Sequence, residues 1–171
     1  MATAQDVAAA IIDRIGPVDP MKLQKLLFFA QGWSLAWRGE PMFNENIEAW
    51  EFGPVVEGLY QTYKDYRYHD IDQARAGDPA ALSPDESETL SAVLDRYGEM
   101  SGPALSQLTH ENSAWDHAYS SRPNLASPRS RQVIDPHELA RSLKRGPTAK
   151  GDRLGTEGEA LLADLLGPLV K

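Results

Sequence analysis

Apolar residues return along most of this chain at the three- and four-residue spacing of helices packed on one side. The clearest case is Leu23, Leu26, Leu27, Ala30, Trp33 and Trp37, with Lys22, Lys25 and Arg38 largely off the stripe. Asp19-Pro20 is a good start for that helix, because Asp accepts from orphan N–H groups and Pro suits the first helical position. Gly39 is its expected stop, after about four or five turns. An earlier stripe, Val7, Ala8, Ile11, Ile12 and Ile15, ends at Gly16-Pro17 and is expected to pack against the Leu-rich helix. Further on, Ser83-Pro84-Asp85-Glu86 offers a cap, a first-turn Pro and a capping-box Glu ahead of Leu90, Val93, Leu94 and Tyr97. Residues 103–110 and 113–119 read as two shorter helices, and Asp135 with Glu138 opens another that runs through Leu143.

Between these stretches the period changes. Residues 41–43 and 47–50 read as extended pieces flanking the polar turn Asn44-Glu45-Asn46, which predicts a small hairpin. Gly53-Pro54 then interrupts the chain, and Val55, Val56, Leu59, Tyr60 and Tyr63 resume helical spacing with Pro54 at or near the first position. Residues 66–82 are polar and carry the turn Gly77-Asp78-Pro79, as expected of a surface connector. The fold class that follows is mainly α, one compact helical domain with one short two-stranded hairpin near residues 41–51. That domain is expected to span residues 1–145. Residues 146–155 have linker composition, and Leu161, Leu162, Leu165 and Leu166 mark a last amphipathic segment within 146–171.

Composition narrows the class of protein. A chain of 171 residues with 42% hydrophobic content can bury one sizeable core. No apolar run reaches the roughly 18 residues that span a bilayer, and Asp6, Asp13 and Arg14 punctuate the N-terminal stretch, so a soluble cytoplasmic protein is expected. With no cysteine there is no disulfide, thiolate nucleophile or cysteine-ligated metal. The net charge is −8, yet residues 122–153 hold eight basic side chains against three acidic ones. Nucleic-acid binding is opposed by the overall charge and could rest only on that stretch, which no aromatic residue interleaves.

Candidate chemistry is sparse. The histidines are His69, His110, His117 and His137, and no pair has the four-residue spacing of a zinc-protease helix. His110 and His117 would share a face of one unbroken helix, with Glu111 and Asp116 nearby, which keeps a metal-dependent enzyme as an alternative. Thr109-His110 and Asn112-Ser113 look instead like a helix boundary, where such residues often cap. There is neither a nucleophile elbow nor a phosphate-binding glycine loop. Glu45, Glu48, Glu51 and Glu57 form an acidic rim that is either solvated or suited to a basic partner. Trp50 is expected in the core, and Gly53 supplies a backbone conformation that a side chain would forbid. Tyr60, Tyr63, Tyr66 and Tyr68 cannot all face one interior stripe, so some should lie at the surface, where Tyr anchors interfaces.

The block KLQKLLFFAQGW, followed in order by GEPMF, IEAWEFGPVV and GLYQTYK, resembles the Panacea domain of SocA-like, phage-associated antitoxins. Leu108-Thr109-His110-Glu111 and Trp115 resemble that family's second block, and the likeness spans about residues 5–120. The positions carrying it are Lys22, Leu23, Lys25, Leu26, Gln31, Trp50, Gly53, Pro54, Thr109, His110 and Trp115, expected to form the scaffold. The resemblance implies a non-enzymatic antitoxin without cofactor, which neutralises a cognate toxin by direct protein–protein binding. It also leaves open delivery of that toxin to a cytosolic protease, with the protein as adaptor, and, as an alternative, repression of its own operon through DNA. The expected partner-contact residues are Glu45, Glu48, Tyr60, Tyr63 and Tyr66, which follow the family core yet exceed what packing needs.

Overall fold

A computed structural model describes residues 1–126 and 130–145. Its centre is α2 (Pro20–Arg38), begun where Asp19 accepts from the Lys22 N–H at 2.9 Å and ended by Gly39 at φ 71°. The apolar stripe understated how deeply this helix is embedded. Phe28 and Phe29 are buried, and so are polar Gln24, Lys25, Gln31 and Ser34, so other elements surround α2 on nearly every side.

Those elements begin with α1 (Ala4–Ile15), whose cap is reciprocal: Thr3 Oγ1 accepts from the Asp6 N–H, and Asp6 Oδ2 from the Thr3 N–H. After α2 come β1 (Glu48–Trp50), β2 (Gly53–Val55) and α3 (Glu57–Tyr63). The chain continues with α4 (Pro84–Tyr97), α5 (Gly102–His110), α6 (Ser113–Ser120) and α7 (Pro136–Arg145). Ser83, Ser101 and Asn112 cap α4, α5 and α6 through their side chains, as the sequence led one to expect at Ser83 and Asn112. Asp135 receives the His137 N–H at 2.8 Å ahead of α7. Its expected capping-box partner Glu138 instead meets His117 on α6 at 2.8 Å. Stacking of Phe29 on Tyr97, 4.1 Å between ring centroids, and a 2.9 Å bond from Trp33 Nε1 to the Tyr97 hydroxyl join α2 to α4.

The hairpin is present, and its pairing starts later than the polar turn suggested. β1 and β2 are antiparallel in the register Glu48↔Val55, Ala49↔Pro54 and Trp50↔Gly53, so the turn is Glu51-Phe52 rather than residues 44–46. Residues 41–47 stay irregular because the buried Gln31 amide takes the place of a strand partner. Its Oε1 accepts from the Met42 and Phe43 N–H groups at 2.7 and 3.2 Å, and its Nε2 donates to the Phe43 carbonyl at 2.8 Å. Pro54 lies in β2 and does not open a helix. The helix waits until Glu57 because Gln24 grips the backbone of Val56, accepting its N–H at 2.9 Å and donating to its carbonyl at 3.1 Å.

The chain beyond the resembling stretch returns to the core. Ala49 N–H donates to the Gln132 carbonyl and Ile134 N–H to the Ile47 carbonyl, which pairs this segment with the free edge of β1. α7 then lies on α2 at Gly32, where a Cβ would stand 2.4 Å from Leu143 Cδ1 and 3.2 Å from Leu139 Cγ. The connector is tied down as well, since Val18 and Ile71 exchange two backbone hydrogen bonds and Ile71 is fully buried. The linker and amphipathic segment expected over 146–171 lie outside the described residues. Among the described residues no helix is long and apolar enough to cross a membrane.

The seating of α7 gives a direct test. Gly32→Val should push Leu139 and Leu143 away and cost roughly 1–3 kcal/mol, read as a lower urea midpoint. An unchanged midpoint would mean that α7 does not depend on this close approach.

Candidate binding groove

The turn between β1 and β2 exposes three successive carbonyls, and α5 and α6 answer each of them. Trp115 Nε1 donates to the Trp50 carbonyl at 3.0 Å, His110 Nε2 lies 2.7 Å from that of Glu51, and Ser106 Oγ donates to that of Phe52 at 3.2 Å. His110 is itself oriented by the Ser106 carbonyl, 2.7 Å from Nδ1, and by the Trp115 ring, whose centroid is 4.5 Å away at 77°. The Thr-His and Trp positions of the second sequence block are therefore a staple that fixes the hairpin tip. Asn112, between them, starts α6 so that Trp115 can reach the turn.

Beside the stapled turn, α2, the hairpin and α3 enclose a groove of about 420 Å³. Leu23, Val55 and Leu59 are among its apolar lining, and Trp50, Tyr60, Phe52 and Tyr68 add aromatic rings. Trp50 and Tyr60 meet edge to face with centroids 5.0 Å apart, while Phe52 and Tyr68 are 68% and 90% exposed. Lys64 and Arg67 also line it and are exposed. Arg67 adopts φ 55°, an uncommon backbone for a residue with a side chain.

Lys25 borders the same groove with 2% of its surface exposed. Its Nζ donates to the Pro54 carbonyl at 3.4 Å, a long bond for a buried ammonium. Burial pushes its pKa down from 10.5 to about 7, and the charge of Asp19 opposes that shift. Gly53 is required twice over beside it. Its φ is 116°, and a Cβ there would lie 2.7 Å from Lys25 Cε and Nζ and 3.0 Å from Thr109 Oγ1.

The residues expected to contact a partner are thus divided. Tyr60 and Tyr66 are half-buried, with Tyr66 beneath the Arg75 guanidinium at 4.3 Å. Tyr63 is 1% exposed and its hydroxyl accepts from the Arg75 N–H at 3.0 Å, so it supports the groove from inside instead of presenting a surface ring. Glu45 accepts from the Ala4 N–H at 2.6 Å, and Glu48 from Trp50 Nε1 at 3.1 Å. Lys25, off the helical stripe, lies inside because the hairpin and α5 cover that side of α2 too. His110 and His117 face different neighbours, and among the described residues no group of three or more His, Cys, Asp or Glu is placed to hold a metal. Pattern reading missed the groove roles of Lys25, Phe52, Lys64 and Arg67. The available signals were an apolar residue at a turn and two cations interleaved with tyrosines.

A mainly helical single domain bearing a stapled hairpin beside an aromatic groove is the class of protein so defined. The family described as Antitoxin SocA-like, Panacea domain, matches residues 23–116. The chain is 32% identical over 128 residues to Antitoxin SocA of Caulobacter vibrioides (strain NA1000 / CB15N), covering 66% of this chain and 68% of that protein. It belongs to the SocA-like Panacea-domain antitoxin family. No solved structure matches it. The matched span holds the hairpin, α3, α5 and most of α2, so nearly all of the groove and its staple lie inside it.

Lys25 predicts an unusual pH dependence. Its folded pKa lies below its unfolded value, so between about 7 and 10.5 the unfolded chain holds the extra proton and folding stability rises with pH. Replacing the ammonium by a similar apolar chain in Lys25→Met should stabilise the protein by on the order of a few kcal/mol at pH 6–7. That advantage should shrink as pH rises towards 10. Urea titrations of both proteins across this range measure it, and parallel profiles would remove the buried ammonium from the explanation.

Proposed function

We propose that this protein is a cytoplasmic, non-enzymatic antitoxin that neutralises a cognate toxin by direct protein–protein binding. Membership of the antitoxin family carries this reading, supported by a groove with solvent-exposed rings built largely from the matched residues. Large exposed aromatics at a well-fixed turn are the usual anchors of protein interfaces. The gripping surface centres on Phe52, Tyr60 and Tyr68, flanked by Tyr66, while Tyr63 holds the patch from beneath. Glu48 adjoins this surface through its bond from Trp50, whereas Glu45 is tied to the start of α1, so their internal hydrogen bonds make both positioning residues first. Delivery of the bound toxin to a cytosolic protease would use the same grip, and would show as a shortened toxin half-life. Operon repression through DNA is disfavoured by the net charge of −8.

Co-expression with the toxic product of a neighbouring gene should restore growth and allow both chains to be co-purified. Phe52→Ala with Tyr60→Ala should cut the retained toxin by tenfold or more while circular dichroism stays unchanged. A wild-type chain that protects against no neighbouring gene product and retains none would sink the antitoxin reading.

A further inference from the structure

Three cations line the groove, and among the described residues none pairs with a carboxylate. Lys25 has the Pro54 carbonyl, Lys64 Nζ donates to the Gln61 side-chain oxygen at 2.8 Å, and Arg67 takes part in no ion pair among the described residues. The nearby acids are committed elsewhere: Asp65 to Arg75 at 2.7 Å, and Asp19 to the first turn of α2. The positive site stands on a chain of net charge −8, so it does not follow from overall composition.

Lys25 is costly where it sits, because an apolar chain of similar length could fill the space without desolvating an ammonium. An incoming carboxylate would recover that cost, since the attraction between opposite charges strengthens in a site closed from water. Arg67 adds an independent sign, for its φ of 55° and ψ of −105° are the kind of backbone strain that gathers at ligand clamps.

We propose that the groove docks an acidic, apolar segment of a partner protein. One side-chain carboxylate meets Lys25, further carboxylates meet Lys64 and Arg67, and an aromatic or aliphatic side chain enters between Phe52 and Tyr60. Three cations suit an internal acidic stretch better than a chain end, which brings one carboxylate. Rings and cations together also suit single-stranded nucleic acid, but a strand follows an extended basic track, whereas these cations border one compact cavity. That the partner is the toxin rests on the antitoxin reading above; the chemistry of the groove does not.

The test uses the full chain and three fluorescent probes of equal length: a peptide mixing Asp and Glu with Leu, Phe and Trp, its Asn and Gln counterpart, and an oligothymidylate. The acidic peptide should bind at least tenfold more tightly than the other two and weaken as salt rises. Lys25→Met should lose tenfold or more of that affinity while gaining thermal stability. Lys64→Glu with Arg67→Asp, which leaves the core intact, should lose a similar factor. Equal binding of the amide peptide, stronger binding of the oligothymidylate, or unchanged affinity in both variants would overturn the proposal. So would displacement of the acidic peptide by a synthetic copy of residues 156–171 at equal or better affinity, because the groove would then belong to the chain's own end. Growth protection keeps the two readings separate: variants that lose the acidic peptide yet still neutralise toxin fully sink only the toxin as the groove's partner, and a wild type that never protects sinks the antitoxin reading alone.

Discussion

The stretch from residue 41 to residue 56 has too few strand partners to satisfy its own backbone, and much of the structure is arranged to supply what it lacks. A two-stranded hairpin is marginal by itself, and a buried irregular segment leaves N–H and C=O groups that must be paired. Gln31 pairs the N–H of Met42 and both groups of Phe43, Gln24 pairs both groups of Val56, and Lys25 reaches the carbonyl of Pro54. From the other side α5 and α6 answer the carbonyls of residues 50–52. α2 therefore has two occupations along its length, apolar packing and side-chain substitution for missing strands.

This arrangement explains why polar residues are buried in the central helix α2. Gln24 and Gln31 mimic a backbone amide, each donating from Nε2 to a carbonyl and accepting at Oε1 from backbone N–H groups. Each is satisfied on both sides, which makes burial tolerable. Lys25 is different in kind, for its ammonium carries three donors and meets one long acceptor within the described protein. A fold selected for stability alone would not need a cation there, and groups so poorly matched by their surroundings gather at functional sites.

Fixing the hairpin tip has a further consequence. Contacts to the carbonyls at 50, 51 and 52 hold the turn in place, and the Phe52 ring it carries is exposed. Apolar groups held in water by a rigid frame lose little conformational freedom on binding, which favours tight association per unit area. The same frame separates the tyrosines: Tyr63 is turned inward against the backbone of Arg75, whereas Tyr68, past a short turn, stays in solvent.

Helix positions and caps were legible in the amino-acid order because they depend on contacts within about four residues: Asp19, Ser83 and Asn112 cap where their types and neighbours indicate, and Gly39 stops α2 in the left-handed region. The mainly helical class and the existence of a hairpin followed from the same local signals. Which two segments pair could not be read that way, since a glutamine ten or more residues away replaces one strand and moves the turn to Glu51-Phe52. Nor could the depth of Lys25, the burial of Tyr63 or the return of α7 onto Gly32, each of which is set by elements distant in the chain. The sequence alone determined the periodic elements and the residue types available for binding. Tertiary structure decided which of them face water, because burial and backbone pairing depend on neighbours that only the folded chain brings together.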